Sequence, residues 1–382
     1  MSTARIYAFT LLLAAALLAQ EVRETRFATT ADGRTVALHR VRPASLIPGR
    51  EPVLCLPGFI ENHRVYDLDA AHSLAAYLAR AGLDTWILEY RGTGDSWKPP
   101  IWDLTGWSFS VDDFMHLDVV AAVDLVLAET GSRQLFLLGH SMGGLNAYGY
   151  CSTVPGGQSR VRGIVTLAGA GRMAIVPSMR FLTVALFTAC RFLEPFIPWD
   201  APLPTGMVFQ ILAQVPFLRD LTEQMLMGAL GSTVWSTTNV SPRLIRTLLR
   251  WAISDISFNV PKQFLRWIAA QQTFTYGPSP WGNQPRSSSW YDANGFVSYT
   301  AALRRVTVPA LVMVGGDDQI VPRENCLYCY RRLRSLDKTF VVVDRANGAQ
   351  VDVGHEDIVF GDQSPIAVWP TIRWWLLSHA VR

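Results

Sequence analysis

The sequence predicts an α/β protein with a mostly parallel central sheet, helices on both faces and a helical cap inserted between two parts of the sheet. Three observations predict this architecture. Short apolar runs alternate with helix-like segments up to about residue 170, the alternation stops over residues 171–300, and it resumes from residue 301. Because a helix between two strands carries the chain back across the sheet, strands that alternate with helices pair in parallel.

The first part of the core, residues 21–170, opens with an antiparallel hairpin. Apolar and polar residues alternate on both sides of Asp32-Gly33, and an Asp-Gly pair between such runs is a strong hairpin signal. The elements predicted after it are strand 52–59, helix 70–82, strand 84–92, helix 111–131, strand 134–139, helix 142–152 and strand 162–169. In the second part, residues 301–382, the predicted elements are strand 309–316, helix 323–335, strand 339–344 and helix 364–380.

The insertion, residues 171–300, is predicted to be helical and is rich in Trp, Phe and Pro. Its apolar stretches include residues 181–199 and 244–256, and it closes with a polar loop rich in Pro, Gly and Ser at residues 275–290. Large apolar side chains in such an insertion either line a substrate pocket beneath a lid or form the ordinary core of the cap. The second interpretation accounts for most of them, with a few on the inner face left to contact substrate.

The N-terminal segment, residues 1–20, is treated apart from the fold. Arg5 is followed by 14 uncharged residues, Ile6–Ala19. This stretch is short for a membrane span of roughly 20 residues and is typical of the apolar part of a secretory signal. The segment therefore predicts an exported protein, with a retained N-terminal anchor as the alternative and a cytoplasmic location less favoured.

The composition excludes some classes of function. The 382-residue chain is 49% hydrophobic and 17% charged, which allows a sizeable buried core and argues against global disorder. The net charge is only +3 and the basic residues are scattered, so the sequence predicts no nucleic-acid partner. The pair Cys326-Leu-Tyr-Cys329 has no second pair and no histidine nearby, so no metal site and no cofactor is predicted.

One short motif carries chemistry. Gly139-His140-Ser141-Met142-Gly143 matches G-x-S-x-G between a predicted strand and a predicted helix, which is the context that a nucleophile turn requires. The glycines are needed because bulkier residues would collide with the adjacent strands while the turn holds Ser141 in a strained conformation. The alternative is a glycine-rich turn with an incidental serine.

A serine nucleophile needs a histidine base that is itself oriented by a carboxylate. For a strand–turn–helix site of this kind, the expected chain order is Ser, acid, His. His355 lies in a loop after the last predicted strand, whereas His379 lies in the last helix and the other histidines come too early in the chain. The acid is expected after the preceding strand, where Asp318 is favoured over Asp317.

An acyl-transfer site also needs two backbone N–H groups that stabilise a developing oxyanion. Met142 follows the serine directly and is predicted to provide one of them. Phe59, in the loop Leu56-Pro57-Gly58-Phe59 after an apolar strand, is predicted to provide the other. The alternative for the second position is that Pro57-Gly58 forms only a turn.

With Ser141, Asp318 and His355 in this order, the chain resembles the α/β-hydrolase superfamily over nearly all of residues 25–382. The segment "GWSFSVDDFMHLDVVAAVDLVLAETGSRQLFLLGHSMGG" resembles the acid-lipase branch, and "GHEDIVFGDQSPIAVWPTIRWWL" is similar to that branch and to polyhydroxyalkanoate-synthase-like hydrolases. The chain departs from these families at three places. Pro57-Gly58 stands where acid lipases carry His-Gly, Met142 stands where they carry Gln, and Ser141 stands where the synthases carry Cys.

The resemblance implies the α/β-hydrolase fold and a serine carboxylic-ester hydrolase, an esterase or lipase, that acts through an acyl-enzyme without metal or cofactor. Its substrates are expected to be small-molecule esters of an apolar or lipid-like kind. Peripheral contact with a membrane or lipid surface through the cap is a further expectation. Two alternatives stay open at this point: acyl transfer to a bound alcohol or thiol, and a non-catalytic protein that uses the fold for binding.

Overall fold

The computed structural model describes residues 21–174, 201–228, 231–271, 273 and 297–381. The predicted export segment, residues 1–20, lies outside the described residues. The same holds for the apolar stretch 181–199 and for the polar loop 275–290 of the cap.

The central sheet has eight strands, and a two-stranded ladder lies in the cap. The strands are β1 (Glu21–Thr29), β2 (Thr35–Pro43), β3 (Val53–Leu56), β4 (Thr85–Leu88), β5 (Leu135–His140), β6 (Val161–Leu167), β7 (Pro202–Leu203), β8 (Ile256–Ser257), β9 (Ala310–Gly315) and β10 (Lys338–Val343). The order in the large sheet is β1-β2-β4-β3-β5-β6-β9-β10, and β7 pairs with β8. Only the β1–β2 and β2–β4 pairs of the large sheet are antiparallel, so the sheet is mostly parallel, as predicted.

The longer helices of the described residues are α1 (Leu74–Arg80), α2 (Val119–Thr130), α3 (Met142–Thr153), α4 (Thr205–Gln214), α5 (Pro216–Met227), α6 (Pro242–Trp251), α7 (Asn259–Ala270), α8 (Arg323–Arg332) and α9 (Trp369–His379). Shorter helical turns are Val111–Asp113, Tyr299–Ala302, Asp357–Phe360 and Ser364–Ala367, together with a π turn at Phe114–Asp118. Single 3-10 turns are His63–Val65, Gly157–Arg160, Gly231–Thr233, Leu303–Arg305 and Arg345–Asn347. Within the described residues, no helix is both long and apolar enough to cross a membrane.

The predicted hairpin is confirmed, and two predicted helices are divided. Strands β1 and β2 pair around a turn in which Gly33 has a φ of 79°, a conformation that glycine adopts without strain. The predicted helix 111–131 contains the π turn, which presents the Asp118 carboxylate to the Arg91 guanidinium at 2.8 Å. The predicted helix 364–380 breaks at Val368, and α9 begins there with Pro370 in its first turn, where proline is tolerated.

Both faces of the sheet are covered by apolar side chains. Along β5, Leu135 and Leu137 belong to one buried cluster, which includes residues of α2, α3 and α8. Phe136 and Leu138 belong to the other cluster, which includes residues of α1, α6 and α9. Successive residues of β5 therefore point to opposite faces of the sheet, and the strand is buried on both.

The cap is helical in the part that the structure describes. It contributes α4 to α7 and the short strands β7 and β8, all between β6 and β9 in the chain. Helix α6 buries Leu244, Ile245, Leu248 and Leu249 and exposes Arg243, Arg246 and Arg250, the spacing of an amphipathic helix that packs on a core. The boundaries at residues 171 and 300 stay a prediction.

Candidate active site

The serine of the G-x-S-x-G motif lies in a strained turn between β5 and α3. Ser141 has φ 49° and ψ −114°, and its N–H donates to the Leu167 carbonyl of the neighbouring strand at 2.9 Å. A side chain at Gly143 would overlap the Leu56 carbonyl, and one at Gly139 would overlap the backbone of Gly143. A positive φ in a non-glycine residue costs of order 1–3 kcal/mol, so the packing of these glycines holds the serine in place.

The structure brings the three predicted side chains together in one hydrogen-bonded row. His355 Nε2 lies 2.8 Å from Ser141 Oγ, and His355 Nδ1 lies 2.9 Å from Asp318 Oδ2. The other carboxylate oxygen of Asp318 accepts the backbone N–H groups of Ile320 at 2.9 Å and Val321 at 2.7 Å. Asp317, the less favoured candidate, is not among these contacts.

This arrangement fixes the chemistry of the imidazole. Because a carboxylate only accepts, Nδ1 of His355 carries the proton that Asp318 binds, and the lone pair of Nε2 faces the Ser141 hydroxyl. His355 is 2% exposed and Asp318 is 6% exposed, so little water competes for these hydrogen bonds. The row can therefore accept the serine proton and hold the resulting imidazolium.

The loop that carries His355 is held by the cap. The Asp357 carboxylate accepts the Gly354 N–H at 3.0 Å, the Ser236 N–H at 3.1 Å and the Asn239 side-chain amide at 2.7 Å. Burial raises the pKa of Asp357 to about 6, although the hydrogen bond from Asn239 acts in the opposite direction. Sequence reasoning missed Asp357, because its two partners in the cap, Ser236 and Asn239, lie more than 100 residues away in the chain.

The two predicted oxyanion donors belong to different segments of the chain, the first turn of α3 and the loop after β3. Met142 is the first residue of α3, so no preceding helical carbonyl is available to its N–H. Phe59 lines the same cavity as Ser141. Within the described part of the chain, no hydrogen bond is recorded for the Phe59 N–H, whereas the Gly58 N–H donates to Glu61 Oε2.

A second histidine, His140, and two carboxyl groups, those of Glu61 and Glu356, lie near Ser141. Sequence reasoning did not assign a role to any of them. His140 is fully buried, with Nδ1 3.2 Å from Glu61 Oε2 and Nε2 3.0 Å from the His355 carbonyl. Burial raises the pKa of Glu61. Burial, together with the charge of Glu61, raises the pKa of Glu356 well above its ordinary value, which favours the protonated acid there.

The loop that contains Phe59 is hydrogen-bonded to the cap. The Ser254 N–H donates to the Ile60 carbonyl at 2.7 Å, and the Asn62 N–H donates to the Ala252 carbonyl at 3.0 Å. Glu61 and Ile253 form an antiparallel bridge between these two bonds. The position of the Phe59 N–H therefore depends on the segment that follows α6.

An apolar cavity of about 670 Å³ opens above the serine. This volume lies within the range of roughly 300–1,000 Å³ that is typical of small-molecule sites. The polar lining residues include Ser141, His355, Glu61 and Glu356. The apolar lining comes from both the core and the cap and includes Phe59, Ile60, Ala170, Met173, Leu203, Phe209, Leu226, Val234, Trp235, Leu248, Leu249, Ile253, Phe258, Phe264, Leu265, Ile268, Ile320 and Val321.

Two groups of side chains in the described residues have the composition of a metal site. One group is His140, His355 and Glu356, whose ligand atoms lie within 4.8 Å of one another. The ring nitrogens of His355 contact Ser141 and Asp318. Those of His140 contact Glu61 and the His355 carbonyl. The other group is His39, His63 and Glu89, in which the two rings stack at 3.6 Å and each contacts a different oxygen of Glu89.

Comparison with known protein families identifies the family of the chain. A family model described as the alpha/beta hydrolase fold matches residues 51–351. The chain belongs to the α/β-hydrolase family. The match covers β3 to β10 of the sheet, the serine turn, the cap and Asp318, and it ends just before His355.

Individual relatives of this hydrolase include lipases. A tear acid lipase-like protein of Mesocricetus auratus is 33% identical over 135 residues, which is 33% of this chain and only 34% of that relative. A probable lipase of Schizosaccharomyces pombe is 31% identical over 312 residues, 79% of this chain and 67% of the relative. The resemblance to the acid-lipase branch is confirmed, while the resemblance to synthase-like hydrolases stays a prediction.

Solved structures also share the fold. A soluble variant of monoglyceride lipase from Saccharomyces cerevisiae superposes with a TM-score of 0.57 at 14% identity, over 96% of this chain and 97% of that one. An esterase from Exiguobacterium antarcticum superposes with a TM-score of 0.51 at 16% identity, over 92% of this chain and 98% of that one. At these identities the likeness establishes the α/β-hydrolase fold and nothing more specific.

Proposed function

We propose that this protein is a serine carboxylic-ester hydrolase that acts on apolar or lipid-like esters. The observation that carries the proposal is the hydrogen-bonded row Ser141–His355–Asp318, with distances of 2.8 and 2.9 Å, at the floor of an apolar cavity. The relatives named as lipases support ester hydrolysis. No metal or cofactor has a role in the proposed reaction.

The proposed reaction begins with nucleophilic attack. Ser141 Oγ attacks the ester carbonyl carbon while its proton passes to His355 Nε2, and Asp318 stabilises the imidazolium that forms. The N–H groups of Met142 and Phe59 stabilise the oxyanion, each contributing on the order of 3 kcal/mol to lowering the barrier. The oxyanion then collapses, the carbon–oxygen bond to the alcohol breaks, and His355 returns the proton to the leaving alcohol.

The second half of the reaction releases the acid. Water attacks the acyl-serine, His355 accepts one water proton, and the same two N–H groups stabilise the second oxyanion. Collapse of that intermediate returns the proton to Ser141 Oγ and frees the carboxylic acid. The apolar walls support an acyl chain as the bound group, because burying each additional CH₂ contributes about 0.8 kcal/mol.

Contact with a lipid surface through the cap is part of the same proposal. In its favour, helices α4 and α5 expose Met207, Ile211, Phe217, Leu221 and Met225. Several exposed large apolar side chains on two neighbouring helices are typical of an interaction surface.

The proposal is tested with Ser141→Ala and a panel of aryl esters of increasing acyl length. We expect the purified wild-type chain to hydrolyse them and the variant to lose activity by about 10⁴-fold or more, because the nucleophile is gone. A fluorophosphonate probe should label wild type and leave Ser141→Ala unlabelled. Ser159→Ala, at an exposed serine outside the cavity, is the matched control and should retain full activity. Full esterase activity in Ser141→Ala would refute the proposal.

A further inference from the structure

A second cavity of about 480 Å³ lies beside the candidate active site and is strongly basic. We call it the arginine pocket. Its lining includes Arg172, Arg304, Arg332 and Tyr328, with Gln271 and Ser298. No aspartate or glutamate of the described residues lines it.

Two of the guanidinium groups contact the same aromatic ring. Arg172 and Arg332 both contact the Tyr328 ring, with their guanidinium carbons 4.9 and 5.0 Å from its centroid. Ion pairs elsewhere neutralise many arginines of this protein, such as Arg91 with Asp32 and Asp118. None of the three pocket arginines has such a pair with the described carboxylates. A bound anion would supply the missing charge and accept their N–H groups.

One thin wall separates the arginine pocket from the active-site cavity. The wall consists of residues 170–174 and helix α8. Ala170, Met173 and Asn325 face the active-site cavity, whereas Arg172 and Tyr328 line the arginine pocket. The Asn325 amide joins the two parts of the wall, because its oxygen accepts the Ala174 N–H at 3.2 Å and its nitrogen donates to the Ala174 carbonyl at 3.1 Å.

We propose that the arginine pocket is a binding site for a phosphate monoester, separate from the active-site cavity on the other side of the wall. Glycerol 3-phosphate has this chemistry. A phosphate monoester matches the pocket better than a carboxylate does, because it offers three oxygens and close to two negative charges to three planar guanidinium groups.

The binding of phosphate is tested without any catalytic step. The full chain carrying Ser141→Ala is titrated with glycerol 3-phosphate by calorimetry, alone and with Arg172→Gln or Arg332→Gln added. Each substitution is expected to raise Kd by about tenfold or more, because it removes hydrogen bonds between charged groups. Arg331→Gln is the matched control, since Arg331 is exposed on the same helix and does not line the pocket.

Absence of glycerol 3-phosphate binding, or equal Kd values in the pocket variants and the control, would overturn the proposal. Thermal unfolding of each variant excludes the trivial case in which the loss of binding reflects unfolding. Inorganic phosphate serves as a second probe in the same titration. If it binds as tightly as glycerol 3-phosphate, the pocket recognises the phosphate group itself.

The separation of the two sites is tested with two esters that share one acyl chain, a monoacylglycerol and the corresponding monoacylglycerol phosphate. We expect Arg172→Gln and Arg332→Gln to leave KM for both esters unchanged, because the wall keeps the pocket apart from Ser141. A rise of about tenfold in KM for the phosphorylated ester alone would show that the pocket holds the phosphate of a substrate, and it would overturn the separate site. Binding of glycerol 3-phosphate without hydrolysis of either ester would refute ester hydrolysis while the pocket still binds phosphate.

Discussion

Two histidine–carboxylate pairs lie side by side at the carboxyl end of β5, and only one of them has the geometry of a catalytic base. The rings of His355 and His140 are 5.1 Å apart, both are buried, and each contacts one carboxylate. They differ in what the second nitrogen faces. Nε2 of His355 faces the Ser141 hydroxyl, whereas Nε2 of His140 faces a backbone carbonyl. Burial and a carboxylate partner therefore do not distinguish a general base from a structural histidine. The distinguishing feature is the atom that the second ring nitrogen contacts.

The carboxyl groups that partner the two histidines, those of Asp318 and Glu61, also differ in their contacts. Asp318 receives two backbone N–H groups from its own loop, and among the described residues its side-chain partner is His355. Glu61 receives the Gly58 N–H of the loop that carries Phe59 and also contacts His140. We infer that the first pair moves the proton, and that the second pair positions the oxyanion loop against the loop of His355.

The largest difference between the pairs is expected from removing each histidine. His355→Ala removes the base, and we expect kcat with an aryl ester to fall by about 10⁶-fold, comparable to losing the nucleophile. His140→Gln keeps a side chain that can bond to Glu61 and is expected to lower kcat by no more than about 100-fold. Steady-state kinetics on the two purified variants make the comparison. Equal losses would contradict the division of roles.

A smaller difference is expected from neutralising each carboxylate. Asp318→Asn replaces an acceptor by an amide that can donate to Nδ1, which leaves the proton on Nε2, and we expect kcat to fall by about 10⁴-fold. Glu61→Gln keeps an oxygen that can accept the Gly58 N–H, and we expect a loss of about tenfold. A fluorophosphonate labelling rate measured on both variants reports on the serine directly. A greater loss in Glu61→Gln would place the proton relay at His140.

The pair His355–Asp318 could be predicted from the order of residues in the chain. The pair His140–Glu61 could not, because no local sequence pattern indicates it. Ser141 was predictable because a strand, two glycines and a helix surround it. Asp318 and His355 were predictable because each lies in a loop after a strand whose carboxyl end must meet the same edge of the sheet. The parallel sheet and the first hairpin follow from patterns of short range in the same way.

Glu61 could not be assigned from the sequence, because its contacts beyond its own loop are with residues that lie far away in the chain. Its contact with His140 spans 79 residues, and the bridge to Ile253 joins the core to the cap. Neither contact joins residues at the short spacings of a helix or a strand, so no local sequence pattern indicates it. The division of the helix at residues 111–131 was missed for a related reason, since the π turn at Phe114–Asp118 is accompanied by the contact of Asp118 with Arg91.

A third carboxyl group, Asp357, extends the comparison, because it supports the His355 loop through contacts with the cap. Its pKa rises from an ordinary 3.8 to about 6 in the folded chain, chiefly through burial. Between these values the folded state binds a proton that the unfolded state has released. The free energy of unfolding contributed by Asp357 therefore falls as pH rises from about 4 to about 6, by at most about 3 kcal/mol.

Asp357→Asn removes this titration while keeping the size of the side chain. The free energy of unfolding of the variant minus that of wild type should be larger at pH 7 than at pH 4. Most of this change should occur between pH 4 and pH 6. Urea unfolding of both proteins at several pH values measures it. Asp220→Asn is the control, because Asp220 is exposed on the cap and makes none of the three hydrogen bonds of Asp357. If the difference for Asp357→Asn did not change between pH 4 and 6, the three hydrogen bonds would outweigh burial and keep Asp357 ionised over that range.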